Sequence, residues 1–244
     1  MIELADIEKT YGQGDTATRV LKGISFRVEK GEYVAIMGAS GTGKTTMMNV
    51  LGLLDKPTGG HYRLGDDDVV DLDDDALSHF RNRKIGFVFQ QFHLLDRATA
   101  VKNVLLPLIY AADYPEDAEE RAEHVLSEVG LSDRMRYKPN ELSGGQQQRV
   151  AIARALITDP EMILADEPTG NLDRKSGIEI LSIFKRLHRD GRTIIIITHD
   201  QAVAEHAQRV IVLRDGKIAE DRAVDQPHDP AEELRALADG EEDQ

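Results

Sequence analysis

The run Gly38-Ala39-Ser40-Gly41-Thr42-Gly43-Lys44-Thr45-Thr46 constrains this chain more than any other stretch. It satisfies G-x-x-x-x-G-K-[ST]. It follows the apolar run Tyr33-Val34-Ala35-Ile36-Met37 and precedes a segment of helical character at 47–53. Strand, glycine loop and helix in that order are the context in which the pattern reads as a phosphate cradle. Glycines let the backbone wrap close to a polyphosphate, and its N–H groups then converge as an anion-binding nest. A helix opening near Gly43 would aim the positive end of its dipole at the same phosphates. Lys44 supplies a compact cation for the β- and γ-phosphates, and the Thr45 hydroxyl is a ligand for Mg²⁺. The competing explanation is a glycine-rich turn that binds nothing, and the strand and helix flanks count against it. The run is therefore expected to bind a nucleotide.

Bulk composition narrows the setting. At 244 residues and 41% apolar content the chain is expected to form one large domain, or a domain with a small lobe. The absence of cysteine excludes disulfides, thiol catalysis and cysteine-ligated metal, and agrees with a cytoplasmic protein. No apolar run approaches the ~20 residues that span a bilayer. The first residues show neither a basic leader nor an apolar signal core. Action at a membrane would therefore need another chain to do the spanning. A net charge of −14 argues against a nucleic-acid surface. Residues 220–244 carry ten acids against two arginines, so this tail is expected to be mobile apart from a short helix near 232–238. A second cluster, Asp66, Asp67, Asp68, Asp71, Asp73, Asp74 and Asp75, lacks calcium-loop spacing and reads as a solvated face in preference to a metal site.

Along the chain, residues 1–28 read as strands around the turn at Gly12-Gln13-Gly14-Asp15, with Tyr11 at its edge. Tyr11 is either strand-end packing or a ring for stacking on a flat base. Short strands are expected at 61–64 and 84–89, the second ending in Gln90-Gln91, and a short helix at 76–83. Residues 101–110 and 118–129 have helical spacing. Leu142-Ser143-Gly144-Gly145-Gln146 opens a helix over 147–156 and makes another anion-friendly corner, this time without a lysine. Such a corner suits a phosphate already held elsewhere. The apolar strand 162–165 ends in Asp166-Glu167, and the strand 193–198 ends in His199-Asp200. Parallel α/β sheets bind ligands at the carboxyl ends of their strands. Because successive strand side chains face opposite ways, the two acids are free to take different jobs. A helix after Asp173 carries the stripe Ile180, Leu181, Phe184, Leu187, and a hairpin is expected at 209–219, turning at Asp215-Gly216.

This order of parts resembles the ATP-binding subunit of ABC transporters, over nearly the whole chain. The resemblance implies an α/β fold: a P-loop NTPase core with a mainly parallel sheet, an N-terminal antiparallel β subdomain and a helical subdomain. It places the ATP-binding domain at 1–219, with the helical insert at about 91–158 and the acidic tail at 220–244. It implies ATP and Mg²⁺ as cofactors. Tyr11 would stack on adenine; Gly38, Ser40, Gly41, Thr42, Gly43, Lys44, Thr45 and Thr46 would hold the phosphates. Thr45 and Gln90 would bind Mg²⁺, and Asp166 would reach it through water. Glu167 would polarise the attacking water and His199 would contact the γ-phosphate. Ser143, Gly144, Gly145 and Gln146 would cap the ATP of a second copy, with Asn171-Leu172-Asp173 along that seam.

Residues 49–57, 103–108 and 166–173 are similar to the lipoprotein-releasing and macrolide-exporting branch. There the partner is a permease with few transmembrane helices and a large outer domain, and the ATPase sits peripherally on the cytoplasmic side of the membrane. A cell-division ATPase acting on a membrane scaffold is an alternative. A soluble ribosome- or DNA-binding ATPase fits less well, because those carry two such cores or a long coiled coil.

Overall fold

The apolar runs sort their side chains between two cores, and that division builds the molecule. In the computed structural model, which describes residues 1–242 apart from Ala112, the chain opens with β1 (Ile2–Tyr11) and β2 (Thr18–Val28), then β3 (Tyr33–Met37) and α1 (Lys44–Leu51). Next come β4 (Gly59–Leu64), β5 (Asp67–Asp68), α2 (Asp74–Lys84) and β6 (Ile85–Val88). Three helices follow: α3 (Ala100–Leu105), α4 (Ala118–Glu128) and α5 (Gly144–Leu156). The chain then runs through β7 (Met162–Asp166), α6 (Arg174–Arg189), β8 (Thr193–Thr198) and α7 (Gln201–Ala204). It ends in β9 (Arg209–Arg214), β10 (Lys217–Ala223) and α8 (Pro230–Glu242).

Six strands form one sheet in the order β10-β9-β3-β8-β7-β6, parallel throughout except for the β9–β10 hairpin. The other four form an antiparallel sheet, β2-β1-β4-β5. Period-2 alternation assigns the faces. Tyr33, Ala35, Ile163, Ile194 and Ile196 pack with Val150, Ile180 and Phe184 of the helices. Their neighbours Val34, Ile36, Leu164, Ile195 and Ile197 pack with Phe26, Met47 and Tyr62 on the side of α1 and the antiparallel sheet. A parallel sheet covered on both faces needs such continuous apolar runs. The helical group α3–α5 lies between β6 and β7 in the chain, where the sequence predicts a helical insert.

Local chemistry sets the helix ends. Asp173 caps α6, its Oδ1 accepting the Ser176 N–H at 2.9 Å; the stripe Ile180, Leu181, Phe184, Leu187 is buried. Arg186, His188 and Arg189 in its last turn face the negative end of the dipole. Asp73 caps α2 with Asp74 and Asp75 in the first turn, so part of the acidic cluster serves helix electrostatics. Among the described residues its carboxylates form no three-ligand group.

The C-terminal segment contains the end of β10 and the helix α8. β10 pairs with β9 as far as Ala223, four residues beyond the expected boundary at Ala219. The short helix expected near 232–238 is α8, laid against α6. Ion pairs tie it down: Arg209 donates to Asp221 at 2.6 Å, Arg189 to Asp229 at 3.4 Å, and the segment's own Arg222 to Glu205 at 2.6 Å. The backbone joins in through Val224 N–H to Gln208 O and His228 N–H to Glu205 O. These partners lie on other elements, which a count of charges along the chain does not see. Residues 243 and 244 of the expected tail lie outside the described residues.

Candidate active site

Adjacent parallel strands deliver their carboxyl ends to one edge of the sheet. The ends of β3, β8, β7 and β6 there surround an open cleft of about 710 Å³ lined by Gly38, Ser40, Lys44, Thr45, Gln90, Asp166, Glu167 and His199. Residues distant in sequence are thus gathered into one polar site.

The loop after β3 is shaped for an anion. Gly43 is the residue before α1, with φ 102°, and no side chain caps the helix, so the first-turn N–H groups stay open. An L side chain is strained at that φ, and a Cβ there would also stand 3.1 Å from Leu21 Cδ2. At Gly38 a Cβ would lie 2.4 Å from Thr42 Oγ1 and 2.7 Å from the Leu213 carbonyl. Thr42 Oγ1 donates to the Ala39 carbonyl at 2.9 Å, bracing the loop. The Lys44 ammonium donates to the carbonyls of Gly38 at 2.5 Å and Ala39 at 3.0 Å, which holds the cation over the loop.

At the end of β7 the backbone overrides strand alternation. Glu167 has φ 42°, a left-handed conformation rare for a residue with a side chain, and both Asp166 and Glu167 line the cleft. Both acids thus reach one cleft, with the Glu167 carboxylate turned to the end of β8. Glu167 Oε1 accepts from the His199 N–H at 2.8 Å and faces His199 Nδ1 at 2.6 Å. Its Oε2 accepts from the Thr198 hydroxyl at 2.9 Å. Asp166 is half-buried; burial first, and the neighbouring Glu167 charge second, raise its carboxyl above the ordinary value, while Lys44 works the other way.

Gln90 reaches the cleft from the segment after β6. Its amide donates to Asn171 Oδ1 at 3.3 Å, and Asn171 Nδ2 donates back to the Gln90 carbonyl at 3.0 Å. Tyr11 stands outside the residues that line the cleft, 41% exposed at the end of β1. Its hydroxyl donates to Asp55 at 2.8 Å, Lys9 holds that carboxylate at 2.5 Å, and the Thr46 side chain is its neighbour. The ring is thus braced beside the far end of the loop, with its hydroxyl raised above the ordinary value by burial and by Asp55.

Ser143, Gly144, Gly145 and Gln146 do not line this cleft either. They open α5 as a reciprocal cap: Gln146 N–H to Ser143 Oγ at 3.3 Å, Ser143 N–H to Gln146 Oε1 at 3.0 Å. Gln146 therefore has a structural job that the sequence reading did not assign. A Cβ on Gly145 would come within 3.1 Å of Ser176, so α5 enters hard against the first turn of α6 and the Asn171–Asp173 segment.

Three further residues support the site without having been singled out in sequence. Thr198 holds Glu167. Gln148 is buried and donates to the carbonyls of Phe89 at 3.3 Å and Pro168 at 2.7 Å, joining the exits of β6 and β7. Arg154 donates to the carbonyls of Phe92 at 2.8 Å and His93 at 2.6 Å. One signal was available: Gln148 lies four residues before Ile152 and seven before Ala155, on the buried face of α5.

A family model described as ABC transporter matches residues 21–170, the stretch that runs from β2 through the phosphate loop to the Asp166-Glu167 turn. The chain belongs to that family. A macrolide export ATP-binding/permease protein of Syntrophobacter fumaroxidans is 54% identical over 221 residues, 89% of this chain and 31% of that protein. An uncharacterized ABC transporter ATP-binding protein of Bacillus subtilis is 52% identical over 228 residues, covering 93% of this chain and all of that one. The chain spans about a third of the length of the macrolide export relatives it matches. The solved dimeric structure of an ATP-binding cassette in a post-hydrolysis state, bound to ADP and Pi, superposes with a TM-score of 0.83. It is 45% identical over 93% of this chain and 100% of its own.

As an ABC cassette the protein is an ATPase that uses ATP with Mg²⁺. The donor chemistry fits both. The Thr45 hydroxyl, the Gln90 amide oxygen and the Asp166 carboxylate are hard oxygen donors of the kind Mg²⁺ takes. The glycine loop, with its uncapped helix start and the Lys44 ammonium held over it, fits a polyphosphate.

Proposed function

We propose that the chain is the ATP-hydrolysing subunit that drives a separate membrane permease of export or lipoprotein-release type. The observation that carries this reading is the division of the phosphate-binding parts. Lys44, Gln90, Asp166, Glu167 and His199 share one cleft, whereas the corner at Ser143-Gly145 opens elsewhere on the same chain. A corner with two open glycine N–H groups and no cation has little to hold alone. It becomes useful when a second copy, arranged head to tail, sets it over the triphosphate of the first. ATP would then close the dimer, and hydrolysis would release it.

Within one cleft the residues divide the work of positioning and charge stabilisation. The loop N–H groups and Lys44 hold the phosphates. Thr45, Gln90 and Asp166 would hold Mg²⁺, which supplies charge neutralisation on the phosphates when bound. Glu167 would take the proton of the attacking water, with Thr198 keeping the carboxylate in place. His199 would turn from Glu167 Oε1 to the γ-phosphate, which frees that oxygen for water. Tyr11 would stack on the adenine.

A groove of about 760 Å³ supports the permease reading. Phe87, Phe89, Pro107, Tyr110, Arg81 and Arg154 line it, and Ile109 and Tyr110 are highly exposed. Arg154 and Phe89 adjoin the segment that carries Gln90 into the cleft. A partner seated there would pull on that metal ligand. No helix among the described residues is long and apolar enough to cross a membrane, so the permease would be another polypeptide segment, with this chain peripheral on its cytoplasmic face. The test uses Glu167→Gln with ATP: an ATP-bound dimer should accumulate while turnover falls about 10²–10⁴-fold. A strictly monomeric ATP-loaded variant, alone and with the co-purified membrane partner, would remove the composite site. Recovery of ribosomes or DNA in place of a permease would remove the transport reading.

A further inference from the structure

We propose that His206, His228 and Glu233 form a zinc-type divalent cation site that clips the C-terminal helix to the body of the protein. The three come from separate places: His206 from the turn after α7, His228 from the link between β10 and α8, and Glu233 from the first turn of α8. His206 Nε2 lies 3.1 Å from Glu233 Oε1, and His228 Nδ1 lies 3.5 Å from the same oxygen. One candidate ligand atom from each residue falls within 4.8 Å of the others.

The electrostatics call for a cation between them. His206 Nδ1 faces the Ala202 carbonyl at 2.8 Å, which fixes the proton on that nitrogen, as it donates to an acceptor-only group. The opposite nitrogen then presents a lone pair. Its side chain is only 3% exposed, and Nε2 has no hydrogen bond among the described residues. What it faces is a carboxylate oxygen, also a lone-pair atom. A buried lone-pair nitrogen and a partly exposed carboxylate oxygen at hydrogen-bond distance repel unless a positive ion sits between them. Zn²⁺ bonded to nitrogen at about 2.05 Å and oxygen at about 2.1 Å in a tetrahedron separates the two by about 3.4 Å. The observed 3.1 and 3.5 Å bracket that value.

The surroundings complete the site. A histidine ligand held through its other nitrogen by a backbone carbonyl is the usual outer-shell arrangement around zinc. Two imidazoles and one carboxylate favour zinc-type metals over Mg²⁺ or Ca²⁺. The neighbouring acids are engaged elsewhere, Glu205 with Arg222 and Asp229 with Arg189, leaving Glu233 as the charged ligand. His228 is half-exposed, which gives an ion a way in and a fourth position for water. The alternative occupant of the gap is a proton, making a histidinium–glutamate pair, and metal titration separates the two.

The experiment takes the full chain without a histidine tag, strips it with a chelator and titrates Zn²⁺ alone against a chromophoric competitor. Wild type should bind one equivalent tightly, and Co²⁺ in its place should show the intense visible absorption of a tetrahedral site. His228→Ala and Glu233→Gln, both at accessible positions, should each weaken Zn²⁺ binding by at least about 10–100-fold. Zn²⁺ should slow proteolysis of α8 in wild type and not in the double variant. Equal Zn²⁺ affinity in wild type and the double variant would place the metal elsewhere, for instance on Glu167 and His199, and overturn the proposal. Absence of one-to-one binding would overturn it as well, leaving a proton in the gap.

Discussion

Two helices of this protein start on small residues, and they are finished in opposite ways. α1 begins after Gly43 with no side-chain cap, its open N–H groups facing the cleft beneath Lys44. α5 begins at Ser143 with its cap closed on itself, Ser143 and Gln146 exchanging hydrogen bonds. A glycine entrance forfeits a few tenths of a kcal/mol, about 0.3, relative to a capping serine. That deficit is tolerable where a phosphate becomes the cap. The second entrance is stable without a ligand, so its outward groups can wait for another molecule. On the proposed function, the difference separates a site that is completed by binding from a surface that would complete another site.

Lys44→Ala is the most direct way to break this contrast. With two or more charge-assisted bonds to phosphate removed, ATP affinity measured by calorimetry should fall at least about 100-fold. Unchanged affinity would mean that α1 is not the primary phosphate site. Gly43→Ala comes next: its φ of 102° and the 3.1 Å approach to Leu21 should cost about 1–3 kcal/mol. Melting should drop by roughly 3–10 °C, with weaker ATP binding.

Changes at α5 should leave that first contact alone. Ser143→Ala removes the cap and should lower melting by about 2–4 °C. Its ATP affinity as a lone protomer should match wild type, and its turnover should fall. Ser143→Asn sharpens the point, because asparagine caps as well as serine. Restored stability with turnover still reduced would assign the hydroxyl to the partner's nucleotide; restored turnover would reduce it to a cap. Gln146→Ala should be the mildest, under about 1 kcal/mol in denaturant unfolding.

Much of this was legible in the chain. The apolar run Tyr33–Met37 is β3 residue for residue, and the expected strand at 193–198 is β8. Both are continuous apolar runs bounded by polar residues, which leaves little freedom in where a buried strand begins. The expected stripe of α6 is buried, since helical period and burial are one fact seen twice. Glu167 was harder. Alternation sends adjacent side chains apart, and nothing local announces a left-handed residue held by the Ile197 carbonyl and Thr198 of a neighbouring strand. Gln146 caps α5, and a capping box uses the same residue types as a ligand corner. Charge along the chain says little about the tail, because its partners Arg189, Glu205 and His206 come from earlier elements.

The phosphate loop at Gly38–Thr46, the residue types at each strand end and the alternation that buries both faces of the sheet follow from the linear chain. Those are matters of local sterics and period, complete within a few neighbouring residues. That Lys44, Gln90, Asp166, Glu167 and His199 meet in one cleft without Ser143 is a product of the folded arrangement. The convergence of His206, His228 and Glu233 has the same origin. Strand order and the docking of α8 on α6 set those meetings, through side chains far apart in the chain whose packing no local pattern encodes.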